Sequence, residues 1–457
     1  MRFQNKIFYL KLFFNSLSVN KKYIAFTIIG LLVITSCSKS GELVAQAPVN
    51  TDGNNPVVNQ DYVAAPLLNA NINFNHFNHL YKEIDFKGKK VGIVHIYSKY
   101  PNYVFDIEPN EGYTCVDDVA RATVMISKYL EVFGNDEVAL EKLKNLTEFV
   151  LQMQNENGYF NNFIWNNLSI NTTYKTSVAQ LDWWSLRAFL GLESAYPFLK
   201  SNQEIASRIE LALQKLTANI KKDLPIANLN TEFINAIEFP TWLIGKHAAD
   251  QSALLMLGLL KNYERTADGD AKLLIEAMAK GIMVMQKGDA DNYPYGAFLS
   301  WENMWHAWGN NQAYALLKVG TKFNNQEYID SALKEIDNFY PKLLKNGFAE
   351  AIWIKKIGDV FTEDKRNNYP QIAYGLRPMV WAAAEAYKYS NNEIHLDLAK
   401  DLNSWLLGKN DANEAIYNAN NGVCFDGVIG LNQVNRNSGA ESTIESLLIL
   451  LEMEKLK

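Results

Sequence analysis

The feature that most constrains this chain is a long-period alternation of two kinds of helix. Strongly apolar helical runs begin near Tyr113, Ser177, Ala248, Met304, Gln371 and Gly439, at intervals of about 56 to 71 residues. Between them lie amphipathic, charged runs at about 136–154, 203–221, 269–287, 326–345 and 393–407. The first of each pair is apolar almost all round, as in Ser252–Leu260 and Ile444–Leu451, which suits an inner helix. The second carries Lys and Glu on one face, which suits an outer one. Length alone would suggest two or three domains. Six inner and about five or six outer helices instead predict one all-α domain over residues 61–457, an (α/α)6 toroid of six helical hairpins. An open superhelix of helix pairs is the alternative. Residues 61–108 read as an irregular lead-in, in which the alternation of Lys90–Tyr97 predicts a strand.

The N-terminal stretch is of another kind. Lys21-Lys22 precedes a short apolar run, Tyr23–Ile34, and then Thr35-Ser36-Cys37. A positive patch, a run too short for an ordinary transmembrane helix and small residues make a secretory signal over residues 1–36. The twenty residues before the run are long for such a signal and point to a start further downstream. Residues 37–60 are rich in Ser, Gly, Pro, Asn and Val and read as a flexible tether. The ending Ile34-Thr35-Ser36-Cys37 resembles the lipobox of bacterial lipoproteins. That resemblance implies cleavage before Cys37, lipid on that residue and a bacterial cell-envelope location, facing the periplasm or outside. Two cysteines remain, Cys115 and Cys424, and an oxidising compartment leaves open a disulfide or two buried thiols.

In a toroid all inner-helix N-termini face one end, where loops on a rigid scaffold carry function. The first start, Glu111-Gly-Tyr-Thr-Cys-Val-Asp-Asp-Val-Ala-Arg-Ala122, offers Glu111, Tyr113, Asp117, Asp118 and Arg121. Acids in a first turn suit the helix dipole, and Asp117 paired with Arg121 at i, i+4 is the purely structural reading. The second start offers Gln180, Asp182, Trp183 and Trp184; the third His247, Asp250 and Gln251. The fourth offers Trp301, Glu302, Trp305, His306, Trp308, Asn310 and Gln312, with the three Trp spaced as on one helix face. Tyr369, Gln371, Tyr374 and Arg377 open the fifth, and Asn437, Glu441 and Glu445 the sixth. Capping needs only Ser, Asn or their like; Trp, His and paired acids exceed it.

Other chemistries find little support. The net charge of -6, without a basic stripe, argues against nucleic acid as a partner. No HExxH, clustered Cys/His, calcium loop or G-x-S-x-G elbow occurs, so neither a metal nor a cofactor is expected. Aromatic residues make up 12% of the chain, enough for a core and for stacking sugar rings besides.

The Glu111–Ala122 phrase, Trp305-His-Ala-Trp-Gly-Asn-Asn-Gln312 and Asn437-Ser-Gly-Ala-Glu-Ser-Thr443 resemble the six-hairpin glycosidase superfamily, and within it a group of bacterial proteins with this toroid. The resemblance spans about residues 90–457. Its acids are placed much as in inverting toroid glycosidases such as family nine cellulases, although the local motifs differ. It implies a carbohydrate substrate and a two-carboxylate glycoside hydrolase, with Asp118 or Asp117 as base and Glu441 as acid. Tyr113, Trp183, Trp184, Trp301 and Trp305 would contact or stack sugars, and Arg377 and His306 would bind hydroxyls or an acidic group. A Cys115–Cys424 bridge would join the first and last repeats, neighbours once the ring closes. Two alternatives remain: a polysaccharide lyase using Tyr113, Tyr374, His306 and Arg377, and a non-catalytic glycan-binding lipoprotein.

Overall fold

The computed structural model describes residues 62–457. The expected signal, Cys37 and the tether lie outside the described residues. The lead-in holds a short helix, α1 (Asn75–Leu80), and an antiparallel hairpin, β1 (Tyr81–Phe86) with β2 (Lys89–Val94). A second hairpin follows, β3 (Tyr97–Lys99) with β4 (Val104–Asp106), and then a short strand β5 (Thr114–Cys115). The strand expected from Lys90 to Tyr97 is thus split between β2 and β3.

The helical pairs then run in order. The inner helices are α2 (Val116–Phe133), α4 (Trp183–Leu199), α6 (Ala249–Thr266), α8 (Gln312–Phe323), α11 (Ala373–Ser390) and α13 (Ala440–Lys455). The outer ones are α3 (Glu137–Gln152), α5 (Gln203–Asp223), α7 (Gly269–Val284), α9 (Gln326–Lys334) and α12 (Glu393–Asn403). A π-helical turn, Glu335–Phe339, and α10 (Tyr340–Asn346) extend α9.

Each inner helix packs on the next, and α13 packs back on α2, so the ring closes. The short α1 packs on α13 and takes the sixth outer place. Closure excludes the open superhelix. Its driving force is burial: Leu255, Leu259, Ile444, Leu447 and Leu451 are wholly buried, and each such side chain contributes about 1.5–3 kcal/mol. Among the described residues no helix is long and apolar enough to cross a membrane.

The outer helices begin as local chemistry dictates. Asp136, Asn202, Asp268, Asn325 and Asn392 each cap one, their side-chain oxygens accepting a backbone N–H of the first turn. Inner helices α6, α8, α11 and α13 have no side-chain cap.

Two expectations need correction here. The tryptophans Trp301, Trp305 and Trp308 are not on a helix face. Met304–His306 is a strand, β6, paired with β7 (Ala351–Ile357), which pairs with β8 (Val360–Asn367). Positive φ at Glu302 (46°) and Gly309 (69°) interrupts the helical geometry, and α8 starts only at Gln312. The second inner helix starts at Trp183 rather than Ser177, whose hydroxyl accepts the N–H groups of Asn162 and Phe163 instead.

Candidate active site

The seam between α2 and α13 brings the first and last repeats together. Gly112 turns the chain there at φ 143°, with the Ile164 carbonyl occupying the place of a Cβ. The helix that follows presents Asp117, Asp118 and Arg121 in its first turns. Arg121, on α2, is the hub. Its Nη1 donates to Asp118 Oδ1 at 2.7 Å and lies 3.6 Å from Asp117 Oδ2. Its Nη2 donates to Glu441 Oε2 at 2.6 Å, and its Nε lies 3.1 Å from Glu445 Oε1.

These acids differ in access. Asp118 is 4% exposed, and its second oxygen accepts the Cys115 thiol at 3.3 Å. Burial pushes its pKa up to about 6; Arg121 opposes the rise, while Asp117 and Glu441 add to it. The Asp117 side chain keeps 14% of its surface and the Glu441 side chain 41%. Asp426, not foreseen from the sequence, stands nearby. It accepts the Gly439 N–H at 2.8 Å and the Ser442 hydroxyl at 2.7 Å at the start of α13. Burial raises its pKa to about 6 as well, with Glu441 contributing.

A second layer of cations lies behind. Arg187, also unforeseen, meets Asp117 through Nε and donates from Nη2 to the Tyr374 hydroxyl at 2.7 Å. Its signal was present: one basic residue in the apolar run of an inner helix. Arg377 donates to Glu445 Oε2 at 2.6 Å and to Asn311 Oδ1 at 3.1 Å. Three guanidiniums thus surround the Tyr374 ring, at 4.8 Å for Arg121, 4.7 Å for Arg187 and 5.6 Å for Arg377. A cavity of about 30 Å³, the size of one water, lies among Arg121, Arg187, Arg377, Glu445 and Asn311. Arg377 is therefore buried and paired within the ring, not open to an acidic substrate group.

Beside this seam a second polar cluster forms at the starts of α4, which packs on α2, and α6. Asp182 and Asp250 are joined by Gln251, whose amide donates to Asp182 at 2.9 Å and whose backbone N–H donates to Asp250 at 2.7 Å. His306 Nε2 stands 2.9 Å from Asp250 Oδ2. Its ring stacks on Trp308 at 3.7 Å, and its Nδ1 is buried without a partner.

The expected aromatic platform divides. Trp184 is buried with its indole N–H on the Phe160 carbonyl at 2.7 Å, and Trp305 is buried edge-on against Phe339 at 5.1 Å. Both are core residues and show no face to the cleft. Trp183 is also buried, 5.4 Å from the Arg187 guanidinium, and Tyr113 is buried beside His95. Trp301 and Trp308 remain half-buried. Of the two states left open for the cysteines, Cys115 and Cys424 are separate buried thiols. Cys115 Sγ accepts the Asp118 N–H at 3.4 Å as the cap of α2, and Cys424 lies in a two-residue strand paired with Tyr417–Asn418. Among the described residues no group of His, Cys, Asp and Glu is arranged to hold a metal ion.

The chain matches no family model and no curated protein. Solved structures do match. A cellobiose 2-epimerase from Bacillus thermoamylovorans B4167 is 13% identical over 80% of this chain and 92% of its own, with a TM-score of 0.57. A sugar epimerase from a ruminal bacterium is 12% identical over 79% and 91%, with a TM-score of 0.54. A D-mannose isomerase is 13% identical over 80% and 92%, also at 0.54. At such identity the likeness is one of fold. The chain shares with them a ring of six helical hairpins, the (α/α)6 toroid.

Proposed function

We propose that this protein is a carbohydrate-active enzyme that hydrolyses glycosidic bonds with Asp117 and Glu441. The observation that carries this reading is that two solvent-reaching carboxylates of the seam share one guanidinium, Arg121. Those two contacts and the width of the guanidinium fork cap the separation of the carboxylate oxygens at roughly 8.5 Å. That cap admits an inverting pair, whose carboxyls lie about 6.5–9.5 Å apart. Glu441, the more exposed, would give its proton to the leaving oxygen. Asp117, faced by Arg187 and Arg121, would take a proton from the attacking water. Asp118, buried and bonded at both oxygens, would hold Arg121 in place rather than touch substrate.

A second reading rests on the Asp250–His306 pair. An imidazole oriented by a carboxylate, with its other nitrogen unengaged, suits proton transfer beside a sugar carbonyl. The names of the epimerases and the isomerase with this fold agree with that chemistry. One experiment separates the readings. The protein is incubated with neutral and acidic glycans and with reducing mono- and disaccharides in D2O. New reducing ends, lost in Asp117→Asn and Glu441→Gln, support hydrolysis. Deuterium at C2, lost in His306→Asn, supports epimerisation or isomerisation. Products absorbing as unsaturated uronates point to a lyase. No turnover with any of them, joined to retained glycan binding, points to a binding protein.

The envelope location belongs to the same proposal: lipid on Cys37 would anchor the enzyme. Cys37→Ser is expected to move the protein from the membrane fraction to the soluble one, and equal partition of both forms would refute the anchor.

A further inference from the structure

The β3–β4 hairpin is bound to the loop that delivers Glu441. The Ile96 carbonyl accepts the Ala440 N–H at 3.0 Å, and the Ser98 carbonyl accepts the Ser438 N–H at 3.2 Å. The Ser98 hydroxyl donates to the Ser438 carbonyl at 2.6 Å. At the tip, the Tyr100 N–H donates to Asn437 Oδ1 at 3.1 Å. Tyr97 donates its hydroxyl to Glu111, in the loop that leads into α2, at 2.7 Å. The hairpin is therefore fixed at both sides of the seam.

Its other face is backed by rings. Phe105 stacks on His95 at 3.7 Å with 4° between planes, and Tyr103 meets His76 at 5.0 Å. Yet the tip leaves apolar surface in water: Tyr100 is 53% exposed, Val104 67% and, just beyond the hairpin, Ile107 39%. A short strand pair held this firmly by backbone bonds does not need an exposed phenol. A flat ring with a hydroxyl at its edge is the surface that packs on the C–H face of a sugar and bonds its hydroxyls. The four-residue step from Asn437 to Glu441 spans at most about 14 Å, so the Tyr100 ring lies within the length of a short oligosaccharide from Glu441.

We propose that the hairpin tip, Tyr100 with Val104 and Tyr103, is a binding subsite for the outer sugar residues of a glycan chain that reacts at Glu441. The substrate class is then a polymer or long oligomer, not a free monosaccharide. This rests on the reading of the seam as a carbohydrate site.

The test is affinity electrophoresis of purified full-length Glu441→Gln protein. Native gels would contain hydroxyethylcellulose, xylan, laminarin, mannan or polygalacturonate. Retardation by at least one polymer is expected, with the dissociation constant about tenfold higher when Tyr100→Ala is added and restored with Tyr100→Trp. Equal retardation with and without Tyr100→Ala overturns the subsite, as does no retardation by any of the five. Unchanged thermal unfolding of the Tyr100→Ala protein confirms that the tip alone was altered. The two proposals fail separately. A polymer that retards the protein through Tyr100 but releases no reducing ends with wild type removes the hydrolase and leaves the subsite. Reducing ends released from long and short chains with equal KM in wild type and Tyr100→Ala leave the hydrolase and remove the subsite. Self-association altered by Tyr100→Ala, without glycan retardation, assigns the tip to a second copy of the chain.

Discussion

The outer helices of this ring and four of its six inner helices begin in different ways. Outer helices start on an Asp or Asn whose side chain satisfies the first-turn N–H groups, a local device contained within a few residues. Four of the inner helices lack such a cap. Acids at inner starts also reach partners from other repeats: Asp117 meets Arg187, Glu441 meets Arg121, and Asp182, which accepts the Trp183 N–H of its own helix, meets Gln251. Outer starts therefore serve stability, and inner starts hold charged groups in fixed places at some cost to it. Buried acids show the same contrast. Asp118 has Arg121 beside it and rises only to about 6, whereas Glu335, in the π-helical turn of the outer layer, is met by the Phe298 N–H and the Tyr340 hydroxyl, with no ion pair among the described residues, and burial lifts it to about 8.

The largest test of the contrast is the hub. Arg121→Met leaves Asp117, Asp118, Glu441 and Glu445 without their shared cation. Breaking a buried pair from one side costs about 3–5 kcal/mol, so denaturant unfolding should show a loss of that order, and activity should vanish. A stability loss below about 1 kcal/mol would mean that the seam is not held by charge.

Glu441→Gln should separate function from stability. Loss of a general acid slows turnover by about 10²–10⁴-fold, while the unfolding midpoint should hold. A matching loss of stability would make Glu441 a structural residue.

Glu335 sharpens the outer half. Its folded pKa, about 8, lies above the ordinary 4.5. Its stabilising contribution is therefore complete below pH 4.5 and is lost as pH rises through 8, at up to about 1.4 kcal/mol per pH unit in that window. Glu335→Gln should remove that part of the slope in unfolding measured from pH 5 to 8. An unchanged slope would place the titration elsewhere.

The smallest effect belongs to the caps. Asp136→Ala or Asn202→Ala should cost about 1 kcal/mol each, with kcat/KM unaltered. A cap variant that lost activity would break the division between outer and inner starts.

Much of the architecture was legible because its causes are local or periodic. Apolar composition all round a helix marks it as inner, and Lys and Glu on one face mark it as outer. The adjacency of Asp117–Asp118 and Glu441 followed once six pairs were taken to close a ring. What escaped was what depends on partners distant in the chain. Trp301, Trp305 and Trp308 have helical spacing, but β6 gains ladder bonds to β7 about fifty residues later, and residues with positive φ interrupt the helix. Cys115 and Cys424 lie in the two repeats that meet, yet the first thiol is engaged at the start of its own helix.

The sequence by itself determined the six inner helices, five of the outer ones and which end of the ring would be polar, since periodicity and charge act over a few residues. Only the tertiary structure decided which of those polar groups reach solvent. Asp118 and Glu441 are both acids in the first turn of an inner helix, and a neighbouring repeat buries one and leaves the other open. Arg187, Arg377 and Tyr374 join the site for the same reason: closure brings their helices to one axis, where a buried charge must find its counterion or not be there at all.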